Sequence, residues 1–144
     1  MHNDGFIFDV KNQKYERHTR MLLPRAKHCS CLFTDPKEPA NKLVLVAGGI
    51  TETTKVDSLQ KRKTQSLADT DLIEYFNFRT WKWDLFNARL TIARHSAAAV
   101  EVNGSIYVVG GHTVALPDQY INSIERYNTK ANASCFEILD VKYM

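Results

Sequence analysis

Leu43-Val44-Leu45-Val46-Ala47-Gly48-Gly49 closes on a pair of glycines, and so does Ser105-Ile106-Tyr107-Val108-Val109-Gly110-Gly111. Each is a short run, rich in β-branched residues, of strand rather than helix length. The runs are apolar without strict alternation, as strands covered on both faces must be. An ending used twice marks an internal repeat, which constrains architecture more than any single motif does. The glycines stand where each strand ends, where backbone must turn with positive φ or be approached closely by a neighbour; a side chain there would obstruct the turn.

The rest of the unit is laid out around those glycines. Upstream of each run lies an arginine among small or apolar residues, Arg25 in Pro24-Arg25-Ala26-Lys27-His28 and Arg94 in Ala93-Arg94-His95-Ser96-Ala97. Downstream comes an aromatic followed by asparagine, Phe76-Asn77 and Tyr127-Asn128, and seven residues beyond Phe76 stands Trp83. The N-terminus repeats that last piece, with the same seven-residue step from Phe8 to Tyr15. The chain thus holds three copies of the rear half of the unit and two of the front half. Arg25 to Gly48 spans 23 residues against 16 for Arg94 to Gly110, and the excess is the proline-containing stretch 35–41. A second insertion falls in the polar stretch 51–71. Insertions confined to polar segments leave the strands of a β repeat intact.

This ordered set resembles the kelch repeat, whose unit of about 50 residues forms one four-stranded blade of a β-propeller. The residues that carry the resemblance are Arg25, Gly48, Gly49, Glu74, Phe76, Asn77 and Trp83 in one unit. In the next they are Arg94, Asn103, Gly104, Tyr107, Gly110, Gly111, Glu125, Tyr127 and Asn128. The tryptophan slot holds Tyr15 in the first partial copy and falls at Ser134 or Cys135 in the last. The fold expected is all-β: an open, incomplete kelch-type propeller fragment of four-stranded antiparallel blades. Residues 1–23 end one blade, 24–90 form a full blade with insertions, and 91–144 form a second. The strands expected are 6–9 and 15–19; 28–33, 43–48, 72–76 and 81–86; and 96–102, 105–110, 121–127 and 135–141. Asn103-Gly104 tolerates positive φ at both positions and is expected to close a tight hairpin between the first two strands of the last blade.

Composition adds little. The net charge is +3 over 144 residues, too small to demand an acidic partner or nucleic acid. No segment reaches the roughly 18 consecutive apolar residues of a membrane span, and Met1-His2-Asn3-Asp4-Gly5 lacks the basic, then apolar, order of a secretory signal. A cytoplasmic chain, with a nuclear location as the alternative, is expected, with no membrane contact.

Cys29, Cys31 and Cys135 form an odd set without disulfide spacing. Cys29-x-Cys31 beside His28 lacks the second ligand pair of a zinc site, so the two are read as reduced thiols on one face of a strand; no metal and no cofactor is expected. Two Asn-x-Ser sequons, at Asn103 and Asn132, are read as turn residues. Lys61-Arg62-Lys63 is the only basic run and reads as a solvated loop tip. His28, His95 and His112 are scattered over different expected elements and have no paired carboxylate or nucleophile in the sequence. Trp81 and Trp83 are expected two apart on one face of a strand, with Trp83 packed between blades.

A closed propeller needs at least four blades, and this chain supplies about two and a half. An isolated fragment would leave apolar blade faces and strand edges uncovered, inviting self-association. The readings compatible with this are a piece of a longer kelch protein, a truncated product, or a chain completed by another copy, of which the first two are favoured.

What the resemblance implies is protein binding, not catalysis. Kelch propellers serve as substrate receptors of cullin-type ubiquitin ligase adaptors, as actin-associated proteins and as scaffolds. A ligase role would call for a recruiting domain such as BTB, and none is read in these residues. Partners contact the propeller face that carries the loops between second and third strands and those joining blades, here 50–71, 112–120, 17–24 and 87–93. Arg62, Arg89 and His112 are the binding candidates on those loops. Arg25, Gly48, Gly49, Phe76, Trp83, Arg94, Tyr107, Gly110, Gly111 and Tyr127 are expected to be structural. The competing class is a kelch-propeller enzyme such as a sugar oxidase or isomerase. An oxidase would need a copper-ligating set of Tyr and His, and Tyr107, Tyr120, Tyr127 and the histidines show no spacing that singles one out.

Overall fold

The structure, a computed structural model, describes residues 1–57, 62–130 and 133–139, and at 55–57 and 62 the backbone only. Every regular element among these residues is a strand. The chain opens with an antiparallel hairpin, β1 (Asp4–Asp9) and β2 (Lys14–Arg20). A middle four-stranded sheet follows, built from β3 (Cys29–Thr34), β4 (Lys42–Ala47), β7 (Ile73–Asn77) and β8 (Lys82–Leu85), side by side in that order. Between β4 and β7 the chain makes a separate ribbon of β5 (Ile50–Asp57) and β6 (Arg62–Asp69). The last sheet repeats the plan with β9 (Ala98–Val102), β10 (Ser105–Val109), β13 (Ile124–Asn128) and β14 (Glu137–Leu139). Its own ribbon, β11 (His112–Thr113) and β12 (Leu116–Tyr120), again leaves between the second and third strands. All pairings inside these sheets are antiparallel, and the array is open.

The all-β, four-stranded antiparallel architecture read from the sequence is the one found. The stretch 140–141 of the last expected strand lies outside the described residues. Asn103 and Gly104 have φ of 52° and 78°, closing the hairpin between β9 and β10 with both residues left-handed. One reading is corrected: 50–71 and 112–120, taken as loops, carry paired ribbons. Their strands are mostly polar in sequence, with apolar residues such as Leu67, Leu116 and Tyr120 left exposed, so the apolar–polar alternation that marks a half-buried strand is missing. Trp81 is corrected too. It sits in the turn before β8 with φ of 58°, not on the strand, although its ring still meets Phe76 (5.7 Å between centroids), as does that of Trp83 (5.4 Å).

The core lies between the middle and last sheets, where Phe33, Leu43, Leu45 and Ile73 meet Leu90, Ile106, Val108, Tyr127 and Phe136. Two ion pairs with fully buried side chains stand in this apolar setting, at equivalent places in the repeat. Arg25 Nη2 meets Glu74 Oε1 at 2.5 Å, and Arg94 Nη2 meets Glu125 Oε1 at 2.5 Å. Much of their remaining hydrogen-bond capacity is used in the same way, except that Arg94 Nε donates to the Ile92 carbonyl while the buried Arg25 Nε has no partner among the described residues. Arg25 donates to the carbonyls of Gly48 and Leu72, and Arg94 to those of Gly110 and Ser123. Glu74 accepts the N–H groups of Leu22 and Leu23, and Glu125 those of Thr91 and Ile92. Each glutamate therefore ties the segment entering a sheet to that sheet's third strand, and each arginine ties it to the end of the second. Desolvation lowers the Arg25 pKa, and the Glu74 carboxylate opposes it.

The N-terminal hairpin joins the middle sheet through the outer strands, where Trp83 Nε1 donates to Thr19 Oγ1 at 2.9 Å. Trp83 is thus in the inter-sheet position read for it.

Candidate interaction surface

The register places the ends of β4 and β10, and both ribbons that follow them, at one end of the sheets. Ala47 pairs with Cys29 and Ile73, and Val109 with Ala98 and Ile124, so the entering segments 21–28 and 86–97 reach that same end. Each entering segment bridges the start of its own sheet's ribbon. Ala26 and Ile50 exchange two backbone hydrogen bonds, and so do His95 and His112.

The longer ribbon has an uninterrupted ladder from Ile50 opposite Asp69 to Asp57 opposite Arg62. Its cross-strand contacts are polar: the Thr53 hydroxyl lies 2.9 Å from that of Ser66 and bonds the Ser66 carbonyl. The Met1 ammonium reaches Glu52 Oε1 at 3.1 Å. The shorter ribbon is exposed along the whole of β12. Tyr120 and Leu116 there, and Leu67 on the longer ribbon, leave large side chains in solvent.

Asp69 joins these parts. One carboxylate oxygen sits 2.7 Å from His95 Nδ1, and the other accepts the Val114 N–H at 2.6 Å, so the foot of the first ribbon holds both the entering segment and the second ribbon. The His95 ring stacks on His112 at 5.8 Å and 24°, and His112 lies 4.7 Å from the Tyr120 ring. The reading of His28, His95 and His112 as scattered and without a carboxylate is corrected in part: His95 has one in Asp69 and meets His112, while His28 stays outside this cluster. Position 95 repeats position 26 and position 112 repeats position 50, so the bridge between them followed from the repeat; the Asp69 contact had no signal in the sequence, because 69 lies in the insertion.

Arg89 is exposed and its guanidinium meets Asp71 at 3.2 Å, two residues from Asp69. Its backbone is fixed by bonds to Ser134 and Phe136. His112 is half-buried in the ring stack, and Arg62 stands at the far end of the longer ribbon with its side chain outside the described residues. The structure thus ties Arg89 directly to Asp71 and His112 to Asp69 only through His95, and carries Arg62 away from segment 69–71 along the ribbon. Asp69, Asp71, His95 and Tyr120 are the members of this surface that sequence reasoning missed.

The residues read as structural lie inside or between sheets. Phe76 and Tyr127 are buried, and the Tyr127 hydroxyl donates to Asn87 Oδ1 at 3.4 Å. Tyr107 is the exception, half-exposed on the outward side of the last sheet opposite Val100 and Arg126. Cys29 and Cys31 share one side of β3. Burial pushes their thiols up to about 11 and about 12, so both are protonated and unreactive near neutrality.

Residues 93–137 match the family model of the kelch motif. That span runs from the residue before Arg94 to the first residue of β14, and so takes in the buried Arg94–Glu125 pair, Gly110-Gly111 and the short ribbon. No curated protein matches the chain.

Proposed function

We propose that this chain, which carries a kelch motif and repeats its geometry in the preceding sheet, is a non-catalytic protein-binding module. Its contact surface is the ribbon-bearing end of the sheets. One observation carries this reading. In both units the connection between second and third strands is spun out into a paired ribbon that adds little to the core yet is held in place at its foot. Ordering backbone costs about 1–2 kcal/mol per residue, and a ribbon with no apolar face recovers little of that by burial. A preorganised, solvent-facing ribbon does suit a binding surface, because less ordering remains to be done when the partner arrives.

Arg62, Arg89 and His112 are the residues we assign to partner contact, with Tyr120 beside them. An arginine fork suits carboxylates, and exposed tyrosine and arginine are the side chains from which interface anchors are drawn. Alanine at Arg62, Arg89 and His112 together should lower recovery of bound partners in a pull-down from the native source at least about tenfold, while the melting temperature of the purified variant stays near that of the parent. Unchanged recovery would remove the assignment. The narrower role, substrate recognition within a cullin-type ubiquitin ligase adaptor in the cytoplasm, predicts that a cullin is recovered with the partners and survives these three substitutions. Self-association through the uncovered sheet faces is a second proposed contact, tested by the state of assembly in solution.

A further inference from the structure

We propose that the cleft between the middle and last sheets, on the side walled by the β3–β4 connection, binds a carboxylate carried on an aromatic group. The cleft holds about 600 Å³, within the range of small-ligand sites. It goes beyond the ribbon surface, shares none of its residues and takes a different class of ligand.

The floor is aromatic. Phe33, Tyr75 and Phe86 meet one another edge to face at 5.8–6.4 Å, and Phe86 meets Tyr127 at 5.1 Å. Phe33 and Tyr127 are buried, whereas Tyr75 and Phe86 keep part of their rings open to the cleft. A flat apolar group entering there completes contacts that these two rings lack, and aromatic pairs favour such edge-to-face or offset geometry.

One wall is peculiar to this unit. In the last sheet the first two strands are joined by Asn103-Gly104 alone, whereas β3 and β4 are joined by residues 35–41. That insertion is firmly built. Asp35 accepts the Lys37 N–H and the Asn41 side-chain amide, Asn41 also reaches Asn77, and Glu38 pairs with Arg79 of the β7–β8 turn. Its position is fixed before any ligand arrives.

The rim carries the charge. Lys37 comes from the insertion and Lys130 from beyond β13, both exposed and both lining the cleft. Among the described residues neither ammonium has an ion-pair partner. Asp35, the only carboxylate among the described lining residues, is already engaged with the Lys37 backbone and Asn41. Two free cations above an aromatic floor call for an anion with a flat body. Asn77 and Asn87 add amide groups for orientation. Burial first, then Asp84 and Asp35, raise the Tyr75 pKa, so its phenol remains a neutral donor.

The test is isothermal titration calorimetry on the whole 144-residue chain with 3-phenylpropionate, its neutral amide, and propionate. The acid should bind one per chain, with the amide and propionate each at least about tenfold weaker. The variant Lys37→Gln with Lys130→Gln, both at exposed positions, should weaken the acid at least about tenfold with no change in melting temperature, and Lys63→Gln should do neither. The peptide acetyl-Gly-Phe with a free carboxyl terminus is the second arm. Tighter binding than 3-phenylpropionate places the natural carboxylate on a polypeptide end, weaker binding places it on a small molecule, and both support the cleft. Equal affinity for acid and amide, an unaffected double lysine variant, or no heat from any probe at millimolar concentration overturns the proposal. The ribbon variants leave this cleft untouched, so failure here and failure of the protein-binding reading are separately visible.

Discussion

Arg25 and Arg94 are each enclosed with a glutamate in a place where water does not reach, and burial changes what their removal costs. An ion pair of this kind adds little net stability over a well-packed apolar pair, because desolvation offsets most of the attraction. Deleting one partner is different, since it strands the other charge. Arg94→Met should therefore destabilise the chain by about 3–5 kcal/mol, whereas Arg94→Met combined with Glu125→Leu should recover part of the loss in urea unfolding, limited by the orphaned N–H groups of Thr91 and Ile92. No recovery in the double variant would mean that those backbone bonds dominate. The thiols make a second residue-scale prediction. Cys135 is exposed while Cys29 and Cys31 are held protonated, so iodoacetamide at neutral pH should label one cysteine in the folded chain and three after unfolding. The sign of the linkage is fixed by the raised values. Near pH 9 the unfolded thiols begin to ionise while the folded ones do not, so stability from these groups is complete below that pH and is lost as pH climbs towards 11–12.

The ribbons separate what holds an element together from what the element holds together. β5 and β6 pair with each other, and among the described residues touch the remainder mainly through their feet, at the Ala26–Ile50 bridge and at Asp69. Replacing residues 54–65 by a two-residue Asn-Gly turn, which restores an ordinary hairpin end, should leave the unfolding midpoint almost unchanged. Asp69→Asn, by contrast, weakens the charge-assisted bonds that seat the second ribbon, and should raise amide hydrogen exchange at Val114 and His112 without lowering global stability to match. The same distinction explains how far the sequence could be read. The β3–β4–β7–β8 and β9–β10–β13–β14 strands bury side chains against a neighbouring sheet, so burial wrote itself into their composition. The ribbons bury nearly nothing, and their Thr, Glu, Lys and Gln residues carry only a weak strand preference. The Arg89–Asp71 and Asp69–His95 contacts were illegible for another reason: both acids sit in an insertion, where the repeat offers no equivalent position to compare.

As a whole the molecule ends in apolar surface on both sides. Phe6, Phe8 and Tyr15 are 63%, 47% and 72% exposed on the N-terminal hairpin, and Val100, Val102 and Val109 are 48%, 47% and 40% exposed on the last sheet. Exposed apolar patches of this kind favour association, so multi-angle light scattering should show mass per particle rising with concentration. A monodisperse monomer with one cooperative unfolding transition would show instead that the array is self-sufficient. Gly48 and Gly110 turn the same asymmetry into a measurement. A methyl group at Gly48 would be driven into the Arg94 carbonyl oxygen of the next unit, whereas at Gly110 the nearest atom is the Ile121 oxygen at 3.6 Å. Both glycines have φ of 65°, so the conformational penalty for alanine is common, about 1 kcal/mol, and only the steric one differs. Alanine at 110 is thus tolerated on a conditional basis. In the chain as it stands it should cost less than alanine at 48, and in any assembly or extended chain that seats a further unit against the last sheet the two costs should converge, making this single position a gauge of whether a neighbour is present.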